Sequence, residues 1–223
     1  MAVIHHTTLR PTKLELLAEW LPTRPWHTGA EARPGKAGGF RLDDPAGEVG
    51  IELMVVTDGE GDTAVTYLAP MTYRSGPLAD AGHALIGTME HGVLGKRWVH
   101  DATHDPVFVS RLYALLTGRT QAQAQSETDT VDTTVAVSPA PAEAAADVEL
   151  VRVTEGADHT DLEVRASGGA SAPLTLRVRR VLRAGTDTAP DGGAGRVTAE
   201  WLLPDGTTAR GEFATVLAGP GQG

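Results

Sequence analysis

From Val148 onward the chain offers only strand-like segments, and that restricts the fold more than any other feature. Val148–Val153, Asp161–Ala166, Leu174–Leu182, Arg196–Leu203 and Thr207–Ala214 are short and separated by turns rich in Gly, Asp or Pro. Within the third, Leu174, Leu176 and Val178 alternate with Thr175, Arg177 and Arg179, the period of a half-buried strand. Pro204-Asp205-Gly206 is a hairpin turn between the last two segments. Five such strands with few aromatics make a thin layer. The expectation is that they extend, or pack on, a sheet begun earlier in the chain, because an unfinished sheet edge has to be paired or covered.

The earlier part mixes both periodicities. After Pro11, Leu14, Leu17, Ala18 and Leu21 recur at helical spacing until Pro22, and Asp105-Pro106 opens a second helix with Val109, Leu112, Tyr113 and Leu116 on one face. Asp105 is positioned as its N-cap with Pro106 at the first helical residue, and Gly118 ends it. Ala2–Thr7 leans to strand, and Thr28–Gly39 reads as a loop. Phe40–Leu42 and Gly47–Val56 read as strands around the turn Asp44–Gly47. Asp58–Asp62 turns the second of these into Ala64–Tyr73, and Ala84–Glu90 with Gly92–Val99 forms another pair.

These readings predict an α+β fold: an antiparallel sheet packed on two helices, with the C-terminal β-strands extending or packing on that sheet. The expected organisation is an α+β domain over residues 1–118, a disordered linker over 119–147, and a β-strand region over 148–218 that completes the same sheet. The linker expectation rests on a Gln-Ala run followed by Ser/Thr/Asp- and Pro-rich sequence, too poor in large apolar residues to offset the entropy of ordering. Thr186–Gly195 reads as a long flexible loop and Gly219–Gly223 as a frayed end.

Composition removes several function classes. There is no cysteine, which rules out disulfides, thiolate metal sites and cysteine nucleophiles. The net charge is −10. Ten basic and fourteen acidic residues fall in 1–118, and nine and fifteen in 119–223, so neither part is a nucleic-acid-binding surface by charge. No apolar run approaches the length of a membrane helix, and the first residues lack the basic head of a secretory leader, so a cytoplasmic protein without membrane contact is expected.

Few side chains suggest chemistry. His100 and His104 are four apart, the spacing of a helical metal pair, but Asp105-Pro106 places them before the helix, where capping is the simpler role and no metal is expected. Trp26, in a Pro-bounded loop, is the best candidate for an exposed sugar-stacking surface among four tryptophans. Arg177 and Arg179, with Arg180 and Arg183, form a basic cluster suited to a partner or an anion. Trp26, His100, His104, Arg177 and Arg179 are therefore the candidate ligand- or partner-binding residues. There is no Gly-x-Ser-x-Gly, and neither Gly38-Gly39 nor Gly168-Gly169 opens a helix as a phosphate loop would.

Residues 12–117 resemble a known family. Glu19-Trp20-Leu21-Pro22-Thr23-Arg24-Pro25-Trp26 resembles the Trp-Leu-x-x-x-Arg-Trp segment that opens the N-terminal cap of actinobacterial maltokinases. Ile51–Thr57 with Tyr67–Tyr73 is similar to the paired strands of that cap, and Val99–Pro106 with its helix to the cap's last helix and lead-in. The resemblance implies a small α+β cap that, in the family, is joined to a kinase of aminoglycoside-phosphotransferase type. The kinase part has no counterpart in this sequence: no His-Gly-Asp occurs, all three lysines precede the linker, and Arg177 stands where a kinase strand would hold its lysine. The implied function is a non-catalytic, cofactor-free binding or regulatory module of trehalose/maltose–glycogen metabolism, partnering an enzyme of that metabolism or a small sugar. The alternatives are a direct glycan or small-molecule binder using Trp26, and an enzyme with an unfamiliar site around His91, His100 and His104.

Overall fold

The computed structural model describes residues 9–127, 129–140, 147–167, 173–185 and 195–217. Ala2–Thr7, most of the Thr186–Gly195 loop and the C-terminal glycines lie outside them. In chain order the strands are β1 (Leu9–Arg10), β2 (Gly35–Leu42), β3 (Gly50–Asp58), β4 (Val65–Arg74), β5 (Leu85–His91), β6 (Gly95–Asp101), β7 (Gln123–Ala124), β8 (Ala136–Ser138), β9 (Val148–Glu155), β10 (His159–Ala166), β11 (Leu174–Arg179), β12 (Arg196–Leu202) and β13 (Thr208–Leu217). The helices are α1 (Lys13–Trp20) and α2 (Pro106–Leu116).

The expected α+β class is wrong. Among the described residues all thirteen strands belong to one antiparallel sheet, ordered β1-β5-β6-β4-β3-β2-β12-β13-β11-β10-β9, with β7 added to β2 and β8 to β12. The two helices, of eight and eleven residues, are too short to form a covering layer. The sheet covers itself instead. Beyond β11 the chain returns to β4: Tyr67 and Val181 form an antiparallel bridge, Leu68 N–H donates to the Arg180 carbonyl (2.9 Å), and Leu182 N–H donates to the Thr66 carbonyl (2.8 Å). The circuit β4-β3-β2-β12-β13-β11 is thereby closed, as in a barrel, and its strands bury one face against one another.

Strand alternation divides the interior into two cores. Leu53, Val55 and Leu68 point into the larger one, with Phe40, Leu176, Val178, Val197, Trp201 and Phe213 and the apolar face of α2. Met54, Val56, Tyr67, Ala69 and Met71 point to the other face, where α1 supplies Leu16, Leu17 and Trp20. Each helix is started by its own sequence. Thr12 accepts from Glu15 N–H while the Glu15 carboxylate accepts from Thr12 N–H, a capping box. Asp105 caps α2 by accepting from Val107 N–H, with Pro106 following it.

Two stretches depart from the loop-like reading. Residues 35–39 belong to β2, where Gly38 and Gly39 adopt positive φ (148° and 117°) beside a bulge. A side chain at Gly39 would run into the Leu53 carbonyl, so these glycines permit close strand approach. In the polar stretch after Gly118, β7 pairs with β2 and β8 with β12, and the Arg41 guanidinium donates to the carbonyls of Ala124 and Glu127. Backbone pairing holds this stretch, with Ala122 buried in the larger core and Val135, Val137 and Ala140 packed against it. No helix among the described residues is long and apolar enough to cross a membrane.

Candidate functional site

The sheet forks at β4. One edge of this strand is shared: Met71–Arg74 pair with β6, and Thr66–Leu68 pair with residues 180–182. Between the two branches lies Pro70. N–H groups of alternate residues face the same edge, and Leu68 N–H faces the fork, so Pro70 removes the donor that the gap would leave unpaired.

Arg180 fills this gap and is completely buried. Its Nη2 donates to Asp101 Oδ2 (2.5 Å) at the end of β6 and to Thr103 Oγ1 (3.0 Å), and its Nε donates to Thr160 Oγ1 (2.7 Å) of β10. The guanidinium carbon lies 5.1 Å from the centroid of the Trp26 ring, a cation–π contact. Nη1 has no hydrogen-bond partner among the described residues. Asp101 is itself buried, and its Oδ1 accepts from both the N–H and the hydroxyl of Thr103. One carboxylate thus balances one guanidinium inside the protein, the pairing that a buried charge requires.

Trp26 is not the exposed platform expected from its loop. It is 2% exposed, packed edge-on to Trp20 (5.6 Å), tilted against Tyr67 (5.8 Å), and joined through Nε1 to Glu155 Oε1 (3.4 Å). The Pro25 bend turns the indole inward, onto the strands that follow residue 147. Nothing in the local sequence announces those strands as its cover.

His100 is buried on β6. Its Nε2 accepts from Leu78 N–H (3.2 Å), which places the ring proton on Nδ1, where no partner lies within reach among the described residues. Burial lowers its pKa, and Arg74 adds to this while Asp105 opposes it. His104 does not share a ligand position with His100. It contacts His83 instead, Nδ1 to Nε2 at 3.2 Å, with the rings nearly perpendicular. Burial lowers the His104 pKa too. No group of three or more His, Cys, Asp or Glu side chains is arranged to hold a metal among the described residues.

Arg177 and Arg179 lie on one face of β11 and each has an acidic partner. Arg177 makes two 2.7 Å bonds to Asp161, which hold its guanidinium above the usual pKa, and Arg179 Nε donates to Glu212 (2.9 Å). Arg183 lies 3.4 Å from Asp158. The basic cluster of the sequence is therefore a neutral mosaic across β10, β11 and β13, with Arg180 turned inside.

Two features escape sequence reasoning. Glu52, on β3 and 4% exposed, accepts from Lys13 Nζ (2.6 Å), Tyr73 OH (2.6 Å) and Gln125 Nε2 (3.0 Å). Burial pushes the Tyr73 pKa well above its ordinary value, and the Glu52 charge adds to that. The second is an open cleft of about 860 Å³ between the Asp44–Ala46 turn, the outer face of α2 and the start of β9. There Ser110 Oγ donates to Asp147 Oδ1 (2.7 Å).

The structure therefore defines an all-antiparallel protein whose N-terminal strands are locked to its C-terminal strands through a buried ion pair. Residues 20–105 match the family model of the maltokinase N-terminal cap domain, so this portion of the chain is similar to that cap. The matched segment contains Trp26, Tyr67, Asp101 and Thr103, whereas Glu155, Thr160 and Arg180, which close over them, lie outside it. Comparison with curated proteins gives no match.

Proposed function

We propose that this chain is a non-catalytic, cytoplasmic binding or regulatory module that acts with an enzyme of trehalose/maltose–glycogen metabolism. The observation that carries the reading is the continuation of the cap-like segment. Where residues 20–105 resemble the maltokinase cap, the chain runs on into strands that close a barrel with β2, β3 and β4. Two of the three lysines, and the arginine at the position of a kinase lysine, are also engaged elsewhere: Lys13 is held by Glu52, Lys96 lies over Trp98, and Arg177 is held by Asp161. A direct sugar-stacking role loses its support with the burial of Trp26.

The test combines the purified chain with a purified maltokinase. Co-elution on a sizing column, with a change in the kinase's KM or kcat for maltose, supports the module reading. ATP consumption by the chain alone in the presence of maltose overturns it. A thermal-shift series with maltose, trehalose and glycogen fragments reports direct sugar binding, since a ligand that prefers the native state raises Tm.

A further inference from the structure

The turn Ala102–His104 carries the groups that grip Arg180. Asp101 and Thr103 supply the acceptors, and His104, the next residue, reaches across to His83 on the turn Gly82–Ala84 that leads into β5. The histidine pair therefore pins the Asp101–Thr103 grip to the β5–β6 branch of the fork. Arg180 in turn is the residue whose carbonyl accepts from Leu68 N–H across the seam.

We infer that the His83–His104 contact is an acid-operated catch on the seam between β4 and residues 180–182. The chemistry of the contact is restrictive. Two ring nitrogens 3.2 Å apart hold one proton between them, one ring donating and the other accepting. When both rings become imidazolium, both facing nitrogens carry protons, neither can accept, and the contact is lost. The charges around His104 are Asp101, Arg180 and Glu155, with His83 itself, and Arg74 and Asp105 lie beside neighbouring His100. Asp101 is already committed to Arg180, so it cannot turn to a new cation without releasing the guanidinium.

The pH direction follows from linkage. Burial holds the folded-state pKa of His104 below its ordinary value, and His83 and Arg180 add to this against Asp101 and Glu155. The opened state binds the proton more readily. The closed seam keeps its full stability above the ordinary histidine pKa, and loses it as pH falls through that value toward the folded-state one.

The experiment is amide hydrogen exchange by NMR, corrected for intrinsic rates, on the full chain between pH 7.5 and 5.0. The Leu68 and Leu182 amides report the seam, and Val55, between β3 and β2, reports the rest of the sheet. In the wild type, seam protection falls about tenfold for each unit by which the folded-state pKa is depressed, while Val55 holds. In His104→Gln the acid response disappears, and in His83→Gln it is smaller than in the wild type, because burial still acts on His104 while a glutamine amide, unlike a second imidazolium, keeps an acceptor for its ring N–H. His83 is exposed, so its replacement leaves the core intact. A wild-type profile that is flat at Leu68 and Leu182, or a fall in His83→Gln as large as in the wild type, overturns the inference.

Discussion

Replacing Asp101 by alanine removes the only carboxylate that touches Arg180 among the described residues and leaves a guanidinium sealed in the fork. The side-chain exposures of the pair are 0% for Arg180 and 2% for Asp101, so water cannot take over as partner. The two threonine hydroxyls that remain carry no charge. Breaking a buried pair by removing one member costs about 3–5 kcal/mol, most of it the penalty of the stranded charge. For a chain of 223 residues this corresponds to a fall in Tm of about 6–20 °C. Arg180→Met strands Asp101 in the same way, although its apolar stem still fills the space against Trp26. In the double variant nothing charged is left, so its loss is smaller than the sum of the single losses by at least about 2 kcal/mol. Urea unfolding followed by tryptophan fluorescence measures all three variants, with Trp26 reporting from the seam itself. A cost below about 1 kcal/mol for Asp101→Ala, or strict additivity in the cycle, refutes the view that this ion pair locks the two halves together.

Three other outcomes follow from the same structure. Gly39→Ala forces a Cβ against the Leu53 carbonyl at φ +117° and destabilises the chain by about 2 kcal/mol or more in denaturant titration, whereas Gly47→Ala, with open space around it, costs less. Asp105→Ala removes both the α2 cap and the partner of Arg74, held by bonds of 2.7 and 2.6 Å, and costs about 3 kcal/mol; Asp105→Asn keeps the cap and loses less. Because the Tyr73 phenol is held protonated in the fold, its contribution to stability is complete below the ordinary tyrosine pKa of about 10 and is lost as pH rises above it. Ultraviolet titration shows a tyrosine that ionises only above the ordinary value, and Glu52→Gln lowers that pH.

Local chemistry was legible without a structure wherever a residue acts on its neighbours. Asp105-Pro106 announces a helix start, Asp44–Gly47 and Pro204–Gly206 announce turns, and Leu174–Arg179 alternates as a strand must, because these depend on backbone dihedrals and side-chain period alone. The cap-like segment was legible too, since its packing residues lie close together in the chain. The class of the fold was not. Whether two short helices or the sheet itself covers the apolar faces depends on the return of residues 180–182 to β4, a pairing across more than a hundred positions that no local period encodes.

The candidate residues divide along the same line. Sequence alone determined that the chain is acidic, cysteine-free and rich in short strands, and that it carries a cap-like segment, because composition and period are properties of the unfolded chain as well. Only the tertiary structure decided that Trp26 is covered, that Arg177 and Arg179 are neutralised, and that Arg180, one residue further along, is the buried one. Alternation on β11 placed Arg177 and Arg179 outward with Val178 inward, and the next inward position met the gap beside Pro70, where a long cation with an Asp101 partner fits and an apolar side chain would leave that carboxylate unpaired.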